Sequence, residues 1–168
     1  MLRFECDYSE GAHPKILERL LSTNLEQTPG YGKDDHCERA KDLIRRACGL
    51  PQSTIEFLTG GTQANQIVIA SILKPYQGVI CADTGHINTH ETGAVEATGH
   101  KVLALPSRDG KITAQQIAKL CSVHWTDPSH EHTVQPGLVY LSQPTELGTL
   151  YTKAELKAIH QVCWQRHI

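Results

Sequence analysis

Five short stretches of this sequence hold residue types that could do chemistry. In "FLTGGTQANQ", Thr59-Gly60-Gly61-Thr62 stands between an apolar run and a helical pattern. A glycine-lined helix start leaves backbone N–H groups unpaired, at the positive end of the helix dipole, so an anion can approach closely. Thr62 adds a hydroxyl. The pattern is neither a Walker loop nor a G-x-G-x-x-G fingerprint, and it reads equally as a tight turn with a Thr cap. In "DTGHINTHETGA", His86 and His90 have helical i, i+4 spacing and Glu91 follows. That spacing invites a metal, but it fits neither H-E-x-x-H nor H-x-x-E-H, and no metal is assigned to it. A His just beyond a strand can instead stack on a flat ligand. In "SQPTELGTLY", Thr145 and Glu146 offer a hydroxyl and a carboxylate, or simply form a turn with Glu146 in solvent. "CDYSEGAHP" carries Asp7, Ser9, Glu10 and His13 ahead of a helix. "PGYGKDD" places Tyr31 and Gly32 in a glycine-rich loop.

The elements that must position these residues alternate in type. Pro14 opens a helix to about residue 23. Asp35-x-x-Glu38 reads as a capping box for a helix that Gly49 ends, with Cys37, Ala40, Ile44 and Ala47 as its apolar stripe. A short strand is expected over 54–58, then a helix over 62–73. Further strands are expected over 79–82, 101–105 and 138–142. Thr113-x-x-Gln116 and Thr152-x-x-Glu155 each cap a helix. The segment "HWTDPSHEHTVQPG" reads as a polar surface loop, with His130 and His132 in solvent. Strands alternating with helices imply an α/β fold: a mostly parallel sheet with helices on both faces. In such sheets ligands bind beyond the carboxyl ends of the strands. The loops at 59–62, 83–91 and 143–148 each follow an expected strand, and they hold the residues singled out above.

The bulk composition narrows the partners. The chain has 168 residues, 16 Lys and Arg against 18 Asp and Glu, and a net charge of −2. That balance gives no electrostatic case for nucleic acid or an anionic membrane. No apolar run approaches the roughly 20 residues of a membrane span, and the N-terminus has no apolar signal region. The six cysteines are widely spread with no C-x-x-C pair, which reads as buried free thiols in a reducing cytoplasm.

Taken in order, "DYSEGAHP", "GYGKD", "GGTQAN", "PYQGVICADTGHINTHETGA", "LPSRDGKIT" and "QPTELGTLY" resemble the threonine aldolase / aromatic amino acid β-eliminating lyase family. These are fold-type I enzymes that use pyridoxal 5′-phosphate (PLP). No single motif is decisive, but six in register are specific. The resemblance implies roles. Gly60, Gly61 and Thr62 match the loop that holds the cofactor phosphate. His86 matches the histidine that stacks on the pyridine ring, and Glu91 an acidic residue behind it. Thr145 and Glu146 match a loop at the cofactor and substrate. Tyr31 and Gly32 match a loop that often reaches the neighbouring subunit's site, and Asp7 lies in a segment close to the substrate carboxylate. On this reading residues 1–50 form an N-terminal segment with substrate and interface loops, and residues 51–168 part of the PLP-binding large domain. The intact enzyme is expected to be a homo-oligomer acting on an amino acid.

Three departures bear on activity. Cys6 replaces the family's serine and donates only weakly. Thr145-Glu146 follows the lyase-like subgroup rather than typical threonine aldolases, which place a histidine nearby for the substrate hydroxyl. In the family the chain continues to a D-x-A-R stretch and the lysine that carries PLP, and neither motif occurs in this sequence. The expectation is an N-terminal part of a PLP-dependent lyase, cleaving Cα–Cβ or eliminating at Cβ of a β-hydroxy or aromatic amino acid, and inactive alone. The alternatives are a non-catalytic chain that associates with a full-length homologue, and a phosphate- or nucleotide-binding module.

Overall fold

The computed structural model describes Arg3, Cys6 and residues 8–168. It divides into two compact units, Met1–Phe57 and Leu58–Ile168. The first unit is helical. Helix α1 spans Pro14–Thr23, with Pro14 in the first turn and the His13 imidazole accepting from the Lys15 N–H. Helix α2 spans Asp35–Cys48. Its cap is Asp34, not the expected Asp35. Asp34 has extended backbone (φ −85°, ψ 161°) and accepts from the Cys37 N–H at 2.9 Å. Only the residue before the first helical turn can bend its carboxylate over the free N–H groups. Gly49 ends α2 with φ 66°, the left-handed conformation of a helix C-cap.

No strand forms over residues 54–58. The extended conformation alone is not a strand: it needs a ladder partner, and this segment has none among the described residues.

The second unit holds the sheet. Strands β1 (Gln77–Ala82), β2 (Lys101–Leu105) and β3 (Gln135–Val139) run parallel in the order β2-β1-β3. Strand β3 begins three residues earlier than expected and ends earlier. Pro136 and Gly137 look like a loop in sequence, yet Pro136 pairs with Gly78 and the register shifts there, so that Leu138 meets Val79. A bulge accommodates the two weak strand formers at the strand's start. One ladder bond persists beyond β3, Tyr140 N–H to Ile80 O at 2.8 Å.

Alternation along β1 builds two cores. Val79 and Cys81 face Ile69 of helix α3 (Gly61–Ile72) and Leu73, the residue that ends it, with Ile87 and Val95. Ile80 and Ala82 face Ile117 and Cys121 of helix α5 (Ala114–Thr126) and Ile159 of helix α6 (Lys153–Arg166). Helices therefore cover both faces of a parallel sheet, as expected for a central strand apolar on both sides. Both anticipated capping boxes form, Thr113 with Gln116 and Thr152 with Glu155.

Helix α5 runs on to Thr126, so the polar loop is shorter than the sequence implied. His124 is buried and its ring meets Trp125 and His130 at 5.0 and 5.6 Å. His132 remains exposed. All six cysteines are free, but only Cys81 and Cys121 are buried and Cys48 is exposed. Burial pushes the Cys81 thiol up to about 12, which keeps it protonated and inert. No helix among the described residues is long and apolar enough to cross a membrane.

Candidate active site

The site begins at the start of α3. Gly60 precedes the helix with extended backbone, and no side chain among the described residues caps it. A Cβ added at Gly60 or Gly61 would meet nothing within 4 Å. The first-turn N–H groups are therefore open to a ligand, and a terminal phosphate fits here by size and charge. Gln63 folds back so that its Oε1 accepts from the Thr59 N–H and hydroxyl, at 2.9 and 2.7 Å. This ties the lip of the cup to the helix it opens.

One helical turn after Gly61, Asn65 donates from Nδ2 to Glu91 Oε1 at 2.7 Å. Glu91 has a fully buried side chain, and its Oε2 has no hydrogen-bond partner among the described residues. An unpartnered buried carboxylate oxygen is costly unless something supplies a proton or a positive charge. His86 Nε2 lies 4.0 Å from the other oxygen, Oε1, the one that Asn65 already holds. Asn65 is the functional residue that sequence reasoning missed. Its signal was available: it shares a helix face with Gly61.

His86 opens the short helix α4 (His86–Thr89), directly beyond β1. Its imidazole is 44% exposed, with one edge toward buried Glu91 and the other toward Glu146, Nδ1 to Oε1 at 3.2 Å. His90 stacks beside it at 5.5 Å and 21°. Asp83 stiffens the same loop, its carboxylate accepting from the Ser107 hydroxyl and N–H at 2.6 and 3.0 Å. The Ser107 hydroxyl bond, with the backbone bonds, holds the Asp83 carboxyl below its ordinary value.

Glu146 is held by its turn. Thr145 is buried, and its hydroxyl bonds the Thr149 hydroxyl at 2.7 Å, while Thr149 donates to Asp109 O at 2.6 Å. This locks the 145–148 turn to the 107–110 turn. Glu146 thus reaches His86 although it stays exposed, as the turn reading expected, and the Thr145 hydroxyl is occupied by protein partners. A crevice beyond the ends of β1 and β3 is lined by Thr84, Gly85, Ser142, Thr145 and Glu146.

The structure brings His86, Glu91, Thr145 and Glu146 together in the loops after β1 and β3, while Gly60, Gly61 and Thr62 open α3 in the same unit and, with no strand over 54–58, do not follow a strand as expected. Tyr31 belongs to the other unit, fully exposed with φ 62°. Asp7 lies outside the described residues.

A parallel sheet covered by helices on both faces, with a glycine-lined helix start and a His–Glu pair beyond the central strand, is an α/β scaffold of the kind found in fold-type I enzymes. The family model for beta-eliminating lyases matches residues 7–168, and the chain belongs to that family. It is 32% identical over 163 residues to the low specificity L-threonine aldolase of Pseudomonas aeruginosa, and 31% to that of a Pseudomonas species. Each match covers 96% of this chain and 46% of the relative. A solved structure of Leishmania major threonine aldolase superposes with TM-score 0.90 at 45% identity, again over 96% of this chain and 46% of the other. An archaeal alanine:glyoxylate aminotransferase shares the fold, with TM-score 0.69 at 16% identity. The chain thus spans about half the length of the proteins it matches, and the family is PLP-dependent.

Proposed function

We propose that this chain provides the phosphate cup and the ring-facing histidine of a PLP-dependent lyase acting on a β-hydroxy or aromatic amino acid. One observation carries the reading. The Asn65–Glu91 bond ties α3, one turn after its start, to the segment bearing His86, so the helix that opens with the cup is linked to the imidazole. The cofactor would be held by the N–H groups and hydroxyl of Gly61 and Thr62 at its phosphate and by His86 at its ring. When bound, PLP supplies the electron sink for bond breaking at the substrate Cα.

The residues of this chain do the rest. Glu91 fixes the orientation of His86 and favours a proton on Nε2. Glu146 faces Nδ1, so His86 can hold a proton at either nitrogen beside the reacting carbon. The buried Thr145 hydroxyl keeps Glu146 in place. Lys111, in the same unit, is engaged by Glu155 at 2.7 Å, and no lysine hydrogen-bonds to these residues. On this reading the chain binds the cofactor without covalent attachment and does not turn over substrate by itself.

Incubating the chain with PLP and L-threonine, or a β-hydroxy aromatic amino acid, tests this by coupled detection of the released aldehyde. No release is expected, and PLP affinity should fall roughly twofold to tenfold in His86→Ala, the value of a lost aromatic pair. Aldehyde release by the chain alone would overturn the inactivity. Unchanged PLP affinity would remove His86 from the ring.

A second reading rests on exposed apolar surface. Ile67, Val68 and Ile72 of α3 are each about half exposed. A contiguous apolar helix face favours association, either with a second copy or with a full-length homologue. Sedimentation of the purified chain distinguishes a monomer from an assembly.

A further inference from the structure

We propose that His124, Trp125 and His130 form a pH-sensitive latch, which holds the 127–133 connection against the end of α5 while His124 is neutral and releases it on acidification. The three rings form a triangle, with centroids 5.0 Å apart for His124 and Trp125, 5.6 Å for His124 and His130, and 5.2 Å for Trp125 and His130. His124 lies in the last turn of α5 and is buried. His130 begins the short helical turn His130–His132, which leads toward β3. Hydrogen bonds fix both tautomers. The Thr133 hydroxyl donates to His130 O at 3.0 Å, so its oxygen accepts from His124 Nδ1–H at 3.1 Å. A carbonyl only accepts, so His130 Nδ1–H donates to Asp127 O at 3.0 Å. Each neutral imidazole thus carries its proton on Nδ1 and clasps the connection. A second proton must go to Nε2.

The closed latch resists that second proton. Burial opposes the charged form of His124 and the His130 ring opposes it further, while Asp127 favours it; the balance holds the imidazole below its ordinary value. The Asp127 carboxylate is already taken up by the Ser129 N–H and hydroxyl, at 2.8 and 2.7 Å. Helix α6, packed on α5, brings a cation and no counter-charge: Arg166 Nη2 donates to Ser122 Oγ at 3.0 Å. Strand β3 is Gln-Pro-Gly-Leu-Val, without a titratable side chain. Glu131 and His132 of the turn are exposed. Once the connection opens, His124 meets water and titrates as an ordinary imidazole near 6.5. The open form then binds more protons than the closed one as pH falls through that value, so the latch is at full strength above it and weakens below it. Opening stays local. The Gln135 N–H to Tyr76 O bond at 3.1 Å and the β1–β3 ladder lie beyond the turn. The latch lies outside the 83–91 and 143–148 loops and does not depend on the cofactor reading.

Amide hydrogen exchange of the purified chain, corrected for the intrinsic rate, tests this between about pH 7 and about pH 5. The His130, His132 and Thr133 amides bond Asp127 O, Ser129 O and His130 O. Their protection should fall severalfold on acidification, with about thirtyfold as the ceiling that an ordinary imidazole near 6.5 sets at about pH 5. The Tyr140 amide, bonded to Ile80 O beside the ladder, should keep its protection. The His124 ring resonances should titrate below about 6.5. His124→Gln, which retains a neutral donor and does not titrate, should abolish the acid-induced loss. Equal protection at both pH values, a parallel loss at Tyr140, an undiminished loss in His124→Gln, or His124 ring resonances titrating at or above about 6.5 would overturn the proposal.

Discussion

Placing an aspartate at Gly60 separates a binding cup from a mere turn, because the two readings predict opposite signs. Gly60 has extended backbone that any residue adopts, and its Cβ direction is open. Replacing it by Asp supplies the missing cap. An Asp cap exceeds Gly by a few tenths of a kcal/mol. A carboxylate at the helix N-terminus adds about 0.3–1 kcal/mol, and reduced freedom of the unfolded chain about 0.4–1 kcal/mol. Gly60→Asp should therefore raise stability by about 1 kcal/mol, read as a higher midpoint of thermal or urea unfolding. The same carboxylate occupies the N–H groups that a phosphate needs and sits about 4 Å from it. Like charges at that distance cost about 1 kcal/mol in water and about 4 kcal/mol near a protein surface. Binding of PLP, followed by its absorption change, should weaken by at least about tenfold, which is 1.4 kcal/mol. A stabilised variant that binds PLP as well as the wild type would refute the cup. A destabilised variant would refute the capping argument.

The remaining predictions concern how the site is held. Gly110 has φ 82°, and a Cβ there would lie 2.7 Å from the Thr145 hydroxyl and 2.9 Å from Thr145 Cβ. Gly110→Ala should destabilise by about 1–2 kcal/mol from the left-handed backbone alone, plus the clash. It should also free Glu146 from His86, seen as changed chemical shifts of the His86 ring by NMR; an unchanged midpoint and unchanged ring shifts would contradict this. The buried Tyr151 hydroxyl accepts from the Ile112 N–H at 2.9 Å. Tyr151→Phe should cost about 1–3 kcal/mol by leaving that donor unpaired, and a neutral effect in urea unfolding would exclude the bond. Lys111 and the Thr152 cap lower the Glu155 carboxyl from 4.5 to about 2. A depressed carboxyl stabilises above its unfolded value and loses that contribution as pH falls toward its folded value. The melting-temperature gap between wild type and Glu155→Gln should therefore be full near neutral pH and close between pH 4.5 and about 2. It should also shrink with salt, because the pair is exposed. A gap independent of pH would contradict the assignment.

The parallel sheet and its two-sided cover were legible because β1 is apolar at successive positions and helix caps are local. Thr113-x-x-Gln116 and Thr152-x-x-Glu155 form as read. The failures lie where a remote partner decides. The 54–58 segment has strand composition but no ladder partner, while Pro136-Gly137 has loop composition but a partner in Gly78. Asp34 and Asp35 are equivalent in composition, and only backbone conformation chooses the cap. The candidate site was visible as motifs, yet its wiring was not. Glu146 reaches His86 because Gly110 permits close approach of the 145–148 turn, across some 35 residues of sequence. Asn65 and Glu91 meet from two elements, and no local pattern joins them.

The central claim, that this chain carries a phosphate-anchored PLP site, is tested most directly by comparing PLP with pyridoxal. The two ligands share the ring and differ in the phosphate. Titration of the purified chain should show PLP binding more tightly than pyridoxal, with inorganic phosphate competing against PLP and not against pyridoxal. Equal affinity for the two ligands, or no binding of PLP, would contradict it.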